Sequence, residues 1–282
     1  MQNDTNKIHQ QKVNQAIDYI SANLHQPLAL DVLADQMCVS VRQLLRIMRS
    51  SLNEPLYAYV ARQRMERAVM YMQIEEISLT RLAEKVGYDN PQSFSKAFKK
   101  QFGTSPKAYI NELQARLETY INDNGNEQSR IPSEICEEDD LDLVYIRIIG
   151  KYGDSEPYEA AWQKLMNFLM NQGAFSKTTR FIGISFDDPN VTHPNRCRFY
   201  ACASVQKNIS PTGEFGTIRL YKGKYAVYTL KGSYSGLKDL YNNINVNFDY
   251  VLRYGIAFEE YMNSPDNTKE EDLLTKIFIP VK

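Results

Sequence analysis

The stretch LADQMCVSVRQLLRIMRSSLNEPLYAYV (33–60) returns, altered but in step, as LAEKVGYDNPQSFSKAFKKQFGTSPKAYI (82–110). Leu33, Ala34, Gln43, Leu44, Met48, Leu52, Pro55, Ala58 and Tyr59 match Leu82, Ala83, Gln92, Phe94, Phe98, Phe102, Pro106, Ala108 and Tyr109, at an offset of 49–51 residues. Each copy reads as a short helix, a turn and a second helix. In the first, Leu30, Leu33 and Ala34 mark one face of a helix over about 30–36, Met37–Val39 form the turn, and Ser40 is placed to cap a helix of about 41–51. In the second, Leu79, Leu82 and Ala83 open the unit and Gly87 supplies a turn residue able to take a positive φ. Asp89 or Asn90 then caps the next helix, with Pro91 in its first turn.

Helical spacing buries Leu44, Ile47 and Met48 in one unit and Phe94, Ala97, Phe98 and Phe102 in the other. Arg42, Gln43, Arg46 and Arg49 are then left outward on the first helix, and Gln92, Ser93, Lys96, Lys99 and Lys100 on the second. This is the face a recognition helix presents to the major groove, where Arg pairs with guanine O6/N7 and Gln with adenine N6/N7. Residues 55–72 read as one connecting helix carrying Arg62, Arg64 and Arg67, whose charges suit either phosphate or intramolecular ion pairs.

Charge follows the same division. Residues 38–110 hold 12 Lys and Arg against 6 Asp and Glu, whereas 121–282 hold 18 against 22. A basic half in a chain of net charge −1 points to a nucleic-acid face on that half. No apolar run reaches the roughly 20 residues of a membrane helix. The polar N-terminus is not a signal peptide, so a cytoplasmic location is expected. Cys38, Cys136, Cys197 and Cys202 show no zinc spacing, His9, His25 and His193 stand alone, and neither a metal nor a cofactor is expected.

After residue 120 the pattern changes. YINDNGNEQSRIPSEICEEDDL lacks apolar periodicity and reads as a linker over 116–141, between domains of 1–115 and 142–282. LVYIRII, RFIGISF, RFYACASV, YAVYTL and TKIFIPV are strand-like, with helical stretches at 156–171 and 235–253 between them. IIGKYGDSEPYEAAWQKL echoes TLKGSYSGLKDLYNNI, and RFYACASV echoes LTKIFIPV. The expected fold is therefore an all-α double helix-turn-helix followed by an α+β domain of two strand–helix–strand–strand repeats. Alternation puts Val144, Ile146, Ile148, Ile277 and Ile279 under the helices and Tyr145, Arg147, Tyr200, Thr229, Lys276 and Phe278 on the opposite face. Trp162, on a helix, is either a core anchor or a wall of a site.

Residues 8–112 resemble the DNA-binding domain of the AraC/XylS transcription regulators, most specifically in AEKVGYDNPQSFSKAFKKQFGTSPKAY. That resemblance implies base reading by Arg42, Gln43 and Arg46 and by Gln92, Ser93 and Lys96. Leu45 departs from a position that is often more polar. Residues 142–282 resemble the GyrI-like effector domain of Rob-like regulators, through GKYGDSEPYEAAWQKL, FDDP with CRFYACASV, GSYSGL and TKIFIPV. This second resemblance implies a ligand groove on the sheet face opposite the helices, and the residues expected to line it are Tyr145, Arg147, Trp162, Tyr200, Thr229, Lys276 and Phe278. Lys276 stands where the family commonly has a Glu, which turns the expected effector toward an anionic or neutral aromatic compound. The expected function is a sequence-specific regulator of transcription that binds double-stranded DNA, with RNA polymerase as a further partner and no membrane. The alternatives are an adaptor that binds a protein through the GyrI-like domain, or a GyrI-like hydrolase fused to a DNA-binding domain. No nucleophile-elbow, P-loop or zinc-protease motif is present, so catalysis is not expected.

Overall fold

The computed structural model describes residues 2–124, 131–153, 155–207 and 209–282. The chain divides into two compact units, Met1–Ala115 with Thr212–Glu214, and Arg116–Pro211 with Phe215–Lys282.

The first unit is helical: α1 (Gln2–Ala22), α2 (Leu30–Gln36), α3 (Val41–Leu52), α4 (Leu56–Ile74), α5 (Leu79–Lys85), α6 (Pro91–Phe102) and the first half of α7 (Pro106–Asn124), whose residues from Arg116 on fall in the second unit. Ser40 caps α3 and Asn90 caps α6, each side chain accepting from the backbone N–H three residues on. The turn before each of these helices passes through a left-handed residue, Cys38 at φ 49° and Gly87 at φ 81°. Both helices also end on one, Asn53 at φ 54° and Gly103 at φ 77°. One apolar cluster joins Ile17, Ile20, Leu33, Leu44, Met48, Leu56 and Tyr59. In the second copy the rings of Phe94, Phe98, Phe102 and Tyr109 pack against one another, tilted or edge-on. The connector α4 is about 28 Å long at 1.5 Å per residue. Its arginines are committed inside the protein. Arg62 pairs with Glu54 at 2.6 Å and Glu66 at 3.1 Å, Arg64 donates to the carbonyls of Leu24 and Gln26, and Arg67 donates to that of Ser21.

The second unit contains β1 (Ser133–Glu138), β2 (Leu141–Ile149), α8 (Ser155–Asn171), β3 (Phe181–Ser185), β4 (Arg198–Ser204), β5 (Phe215–Leu220), β6 (Gly223–Lys231), α9 (Leu237–Asn247), β7 (Phe258–Tyr261) and β8 (Leu274–Pro280). Among the described residues the strands form one sheet in the order β1-β6-β8-β7-β3-β4-β2-β5, every pair antiparallel. The repeats β2-α8-β3-β4 and β6-α9-β7-β8 meet at the β3–β7 seam. Their edge strands are exchanged: β1 precedes the first repeat but pairs with β6 of the second, while β5 pairs back with β2.

Three sequence expectations change. Helix α7 extends to Asn124 and β1 starts at Ser133, so regular structure occupies much of the stretch read as linker over 116–141. Strands β1, β5 and β7 are additional, because polar residues dominate β1 and acidic ones half of β7. The helix expected to reach 253 stops at Asn247, since Asn242, Asn243, Asn245 and Asn247 are weak helix formers that compete for backbone hydrogen bonds.

Both faces of the sheet bury apolar clusters. Val144, Ile146 and Ile148 pack with Leu165 and Leu169 of α8, and Ala226, Tyr228, Ile277 and Ile279 with Leu240 and Ile244 of α9. The opposite face carries its own cluster, centred on Tyr145, Ile182, Ile184, Tyr200, Phe258 and Phe278.

Candidate functional sites

Helices α3 and α6 repeat residue for residue. From 41 to 50 and again from 91 to 100, the same positions are buried, half-buried and exposed. Leu44 and Met48 correspond to Phe94 and Phe98 and are fully buried. Arg42, Gln43, Arg46 and Arg49 are exposed, as are Gln92, Ser93, Lys96 and Lys99. The correspondence is therefore Arg42 with Gln92, Gln43 with Ser93, Arg46 with Lys96 and Arg49 with Lys99, one place off the Gln43–Gln92 match that the sequence suggests. Among the described residues, no hydrogen bond or ion pair engages the side chains of Arg42, Arg46, Arg49, Gln92, Lys96 or Lys99. These charges remain available to a polyanion, unlike those of α4. Gln43 differs: its amide oxygen accepts from the Ser40 backbone N–H at 3.0 Å and the Ser40 hydroxyl at 3.1 Å. Leu45 is half-buried against the apolar cluster of the first unit.

In the sheet unit, the residues expected to line one groove are split between two faces. Tyr145 and Tyr200 are buried opposite the helices, their rings stacked with centroids 4.3 Å apart. Arg147 donates to both hydroxyls, at 2.9 and 2.8 Å. Phe278 stacks on Phe258 at 4.4 Å. At Gly216 this face is closely packed, since a Cβ there would lie 2.3 Å from the Tyr145 ring. Lys276 is half-buried and Thr229, its partner in register, is exposed. Trp162 lies on the other face, edge-on to Phe181, Phe199 and Tyr261, because α8 covers the helical side. It cannot share a lining with Tyr145 or Phe278.

The helical side holds a constellation that sequence reasoning missed. Glu259 on β7 is 5% exposed. Its carboxylate accepts from the Tyr241 hydroxyl of α9 at 3.0 Å and the Tyr261 hydroxyl at 2.6 Å. Trp162 and Tyr234 stand edge-on to the Tyr261 ring, at 5.5 and 5.4 Å. Burial pushes the Glu259 carboxyl above the usual range, partly offset by the two tyrosine hydrogen bonds. Burial likewise raises Tyr241 and Tyr261, with the Glu259 charge adding to it. Thr275, opposite Tyr261 in register, buries a hydroxyl with no hydrogen-bond partner among the described residues.

Gly183 faces Glu259 across the seam, and a Cβ there would come within 2.5 Å of the Tyr261 hydroxyl. The two are also equivalent in the repeats, since the pair Gly183–Ala201 recurs as Glu259–Ile277. One copy supplies a carboxylate and the other a glycine whose missing Cβ leaves room for the Tyr261 hydroxyl that binds it. The adjacent Glu260 points the other way and is neutralised by Arg180, which also holds Glu138. Among the described residues no cation lies within ion-pair distance of Glu259. The only sequence signal was the acidic pair in FEEY, in a run too short and too polar to read as a strand.

The family described as GyrI-like small molecule binding domain matches residues 131–282, and that described as helix-turn-helix domain matches 33–112. The HTH-type transcriptional regulator AlkR of Acinetobacter baylyi is 34% identical over 98 residues, which are 35% of this chain and 32% of AlkR. The regulatory protein SoxS of Escherichia coli K12 is 30% identical over 105 residues, 37% of this chain and 98% of SoxS. The chain thus spans about a third of AlkR and nearly all of SoxS. The cryo-EM structure of the EcmrR–DNA complex in EcmrR-RPo aligns with 90% of this chain and 98% of its own, at 13% identity and a TM-score of 0.48. No helix among the described residues is long and apolar enough to cross a membrane.

Proposed function

From the premise that this chain belongs to the GyrI-like small-molecule-binding family and carries an AraC-type helix-turn-helix domain, we propose that it regulates transcription by binding duplex DNA through α3 and α6 under the control of a small molecule. The observation that carries the reading is the repeated exposure pattern of the two helices, with arginines and lysines held outward and uncommitted. Such a face stores its charge for phosphate and base edges. RNA polymerase is the partner such a regulator assists or excludes. The test is footprinting of the full chain on genomic DNA. Arg46→Ala and Gln92→Ala should each cost about 1–3 kcal/mol at the protected sites. A chain that protects no genomic site would refute the proposal.

We propose the seam around Glu259, rather than the face of Tyr145 and Lys276, as the effector site. A buried carboxylate without a cation, walled by Trp162, Tyr234, Tyr241 and Tyr261, favours a small organic cation with an aromatic surface. The anionic preference argued from Lys276 loses force because Glu260 lies beside it in register. A second reading rests on the short Glu259–Tyr261 hydrogen bond, an acid–hydroxyl pair able to serve hydrolysis. Incubation with a bound cationic ester separates the two: a receptor returns it intact, and a hydrolase consumes it.

A further inference from the structure

The recognition helices α3 and α6 share one scaffold but cap their N-termini differently, and the difference decides which side chains are free to read DNA. In α3 the cap is reciprocal. The Ser40 hydroxyl accepts from the Gln43 N–H at 3.3 Å, and the Gln43 amide oxygen accepts from the Ser40 N–H at 3.0 Å and its hydroxyl at 3.1 Å. An amide oxygen has two lone pairs, and both are used. Paired recognition of adenine needs that oxygen to accept from N6 while the amide nitrogen donates to N7. Gln43 cannot do this without opening the cap.

In α6 the cap is one-sided. The Asn90 side chain alone accepts from the Ser93 N–H, at 2.8 Å, and Pro91 has no N–H to satisfy. No side chain from the third position is needed, and that position holds Ser93. Gln92 is exposed and its amide makes no hydrogen bond among the described residues. Its counterpart in α3 is Arg42.

We propose that the two helices read unlike bases, guanine through Arg42 and Arg46 on α3 and adenine through Gln92 on α6, and that Gln43 positions α3 without reading a base. This rests on the proposed DNA-binding function and specifies the sequence class of its site. The site has a guanine-containing half and an adenine-containing half, rather than two similar halves as the repeated fold alone would imply.

The test is selection of binding sites from a random duplex pool by the full chain, comparing wild type with Gln43→Glu and Gln92→Glu. Glutamate is the ordinary partner in a reciprocal cap, so Gln43→Glu keeps α3 in place. It should weaken every sequence by a similar factor, through added negative charge, and leave the preferred base unchanged at each position. Gln92→Glu should lose its preference for adenine at one position by tenfold or more and gain cytosine there, because a carboxylate accepts from cytosine N4. Gln43→Ala, which removes half the cap without adding charge, should also preserve every base preference. A changed base in either Gln43 variant, or no change in Gln92→Glu, would overturn the inference. If the wild type enriches no sequence at all, the proposed DNA-binding function fails as well. Enrichment of two adenine halves would leave that function standing and overturn this inference alone.

Discussion

Both halves of the chain are duplications, yet they keep their chemistry in opposite places. In the helical half the copies agree inside, Leu44 and Met48 against Phe94 and Phe98, and differ outside, where arginines face lysines and an amide. In the sheet half they differ inside, at the seam, where Gly183 faces Glu259. The copies thus vary on the outer face at the proposed DNA surface, and where they meet at the proposed effector site.

The largest effect that would break this comparison is the response to salt. DNA affinity of the full chain should fall about 10³–10⁵-fold between 50 and 200 mM salt if six to ten phosphates are contacted. Binding of an aromatic cation at the buried carboxylate should change only a few-fold over the same range, because buried charge is screened much less. Fluorescence anisotropy and calorimetry on one preparation give both slopes, and similar slopes would place the two chemistries on the same kind of surface.

Next in size is the turn before each recognition helix. At Gly87 a Cβ would lie 2.4 Å from the Leu24 carbonyl and 2.8 Å from the Arg64 guanidinium, at φ +81°. Gly87→Ala should cost about 2–4 kcal/mol in urea denaturation. The equivalent Cys38→Ala, at a left-handed position already filled by a side chain, should be nearly neutral.

Smaller still is the pH response at the seam. Glu259→Gln should weaken cation binding at neutral pH about tenfold or more, or about 1.4 kcal/mol. In the wild type, affinity should fall as pH drops through the raised Glu259 titration, since the protonated acid cannot pair with a cation. Stability of the ligand-free sheet half should move the other way. The folded-state value lies above the unfolded one, so this group's contribution is greatest at low pH and is lost as pH rises through the folded-state value. A pH-independent affinity would remove Glu259 from the site. Smaller again is Cys38→Gly, which should stabilise by about 0.5–1 kcal/mol by relieving the left-handed backbone.

The helical half was readable because each of its signals is local. Ser40, Asn90, Pro91 and Gly87 announce their roles within a few residues, and a 3.6-residue period separates Leu44 from Arg46 without knowledge of any distant contact. Even there the pairing of Gln43 with Gln92 was wrong by one place, because the turns differ in length while the helices do not. In the sheet half the longer apolar runs β2, β4, β6 and β8 stood out, and alternation sorted their faces. Strand β7 did not stand out, since two of its four residues are glutamates that strands disfavour. Its absence hid both Glu259 and the Glu260 that lies beside Lys276. Lys276 therefore reads as a lone charge in the sequence, although Glu260 lies beside it in register.

The place of β8 in the middle of the sheet has a kinetic consequence. Strand β8 pairs with β6 on one side and β7 on the other. Until it is in place, the sheet exists as two unconnected pieces, β1-β6 and β7-β3-β4-β2-β5. Because β8 follows every other strand in the chain, the sheet half must fold late and through contacts distant in sequence, which makes it slow. The helical half depends on near neighbours and precedes it, so during synthesis a DNA-gripping module should mature before the half that governs it. Each newly made molecule would then pass through a brief interval in which it can occupy an operator but cannot yet sense its effector.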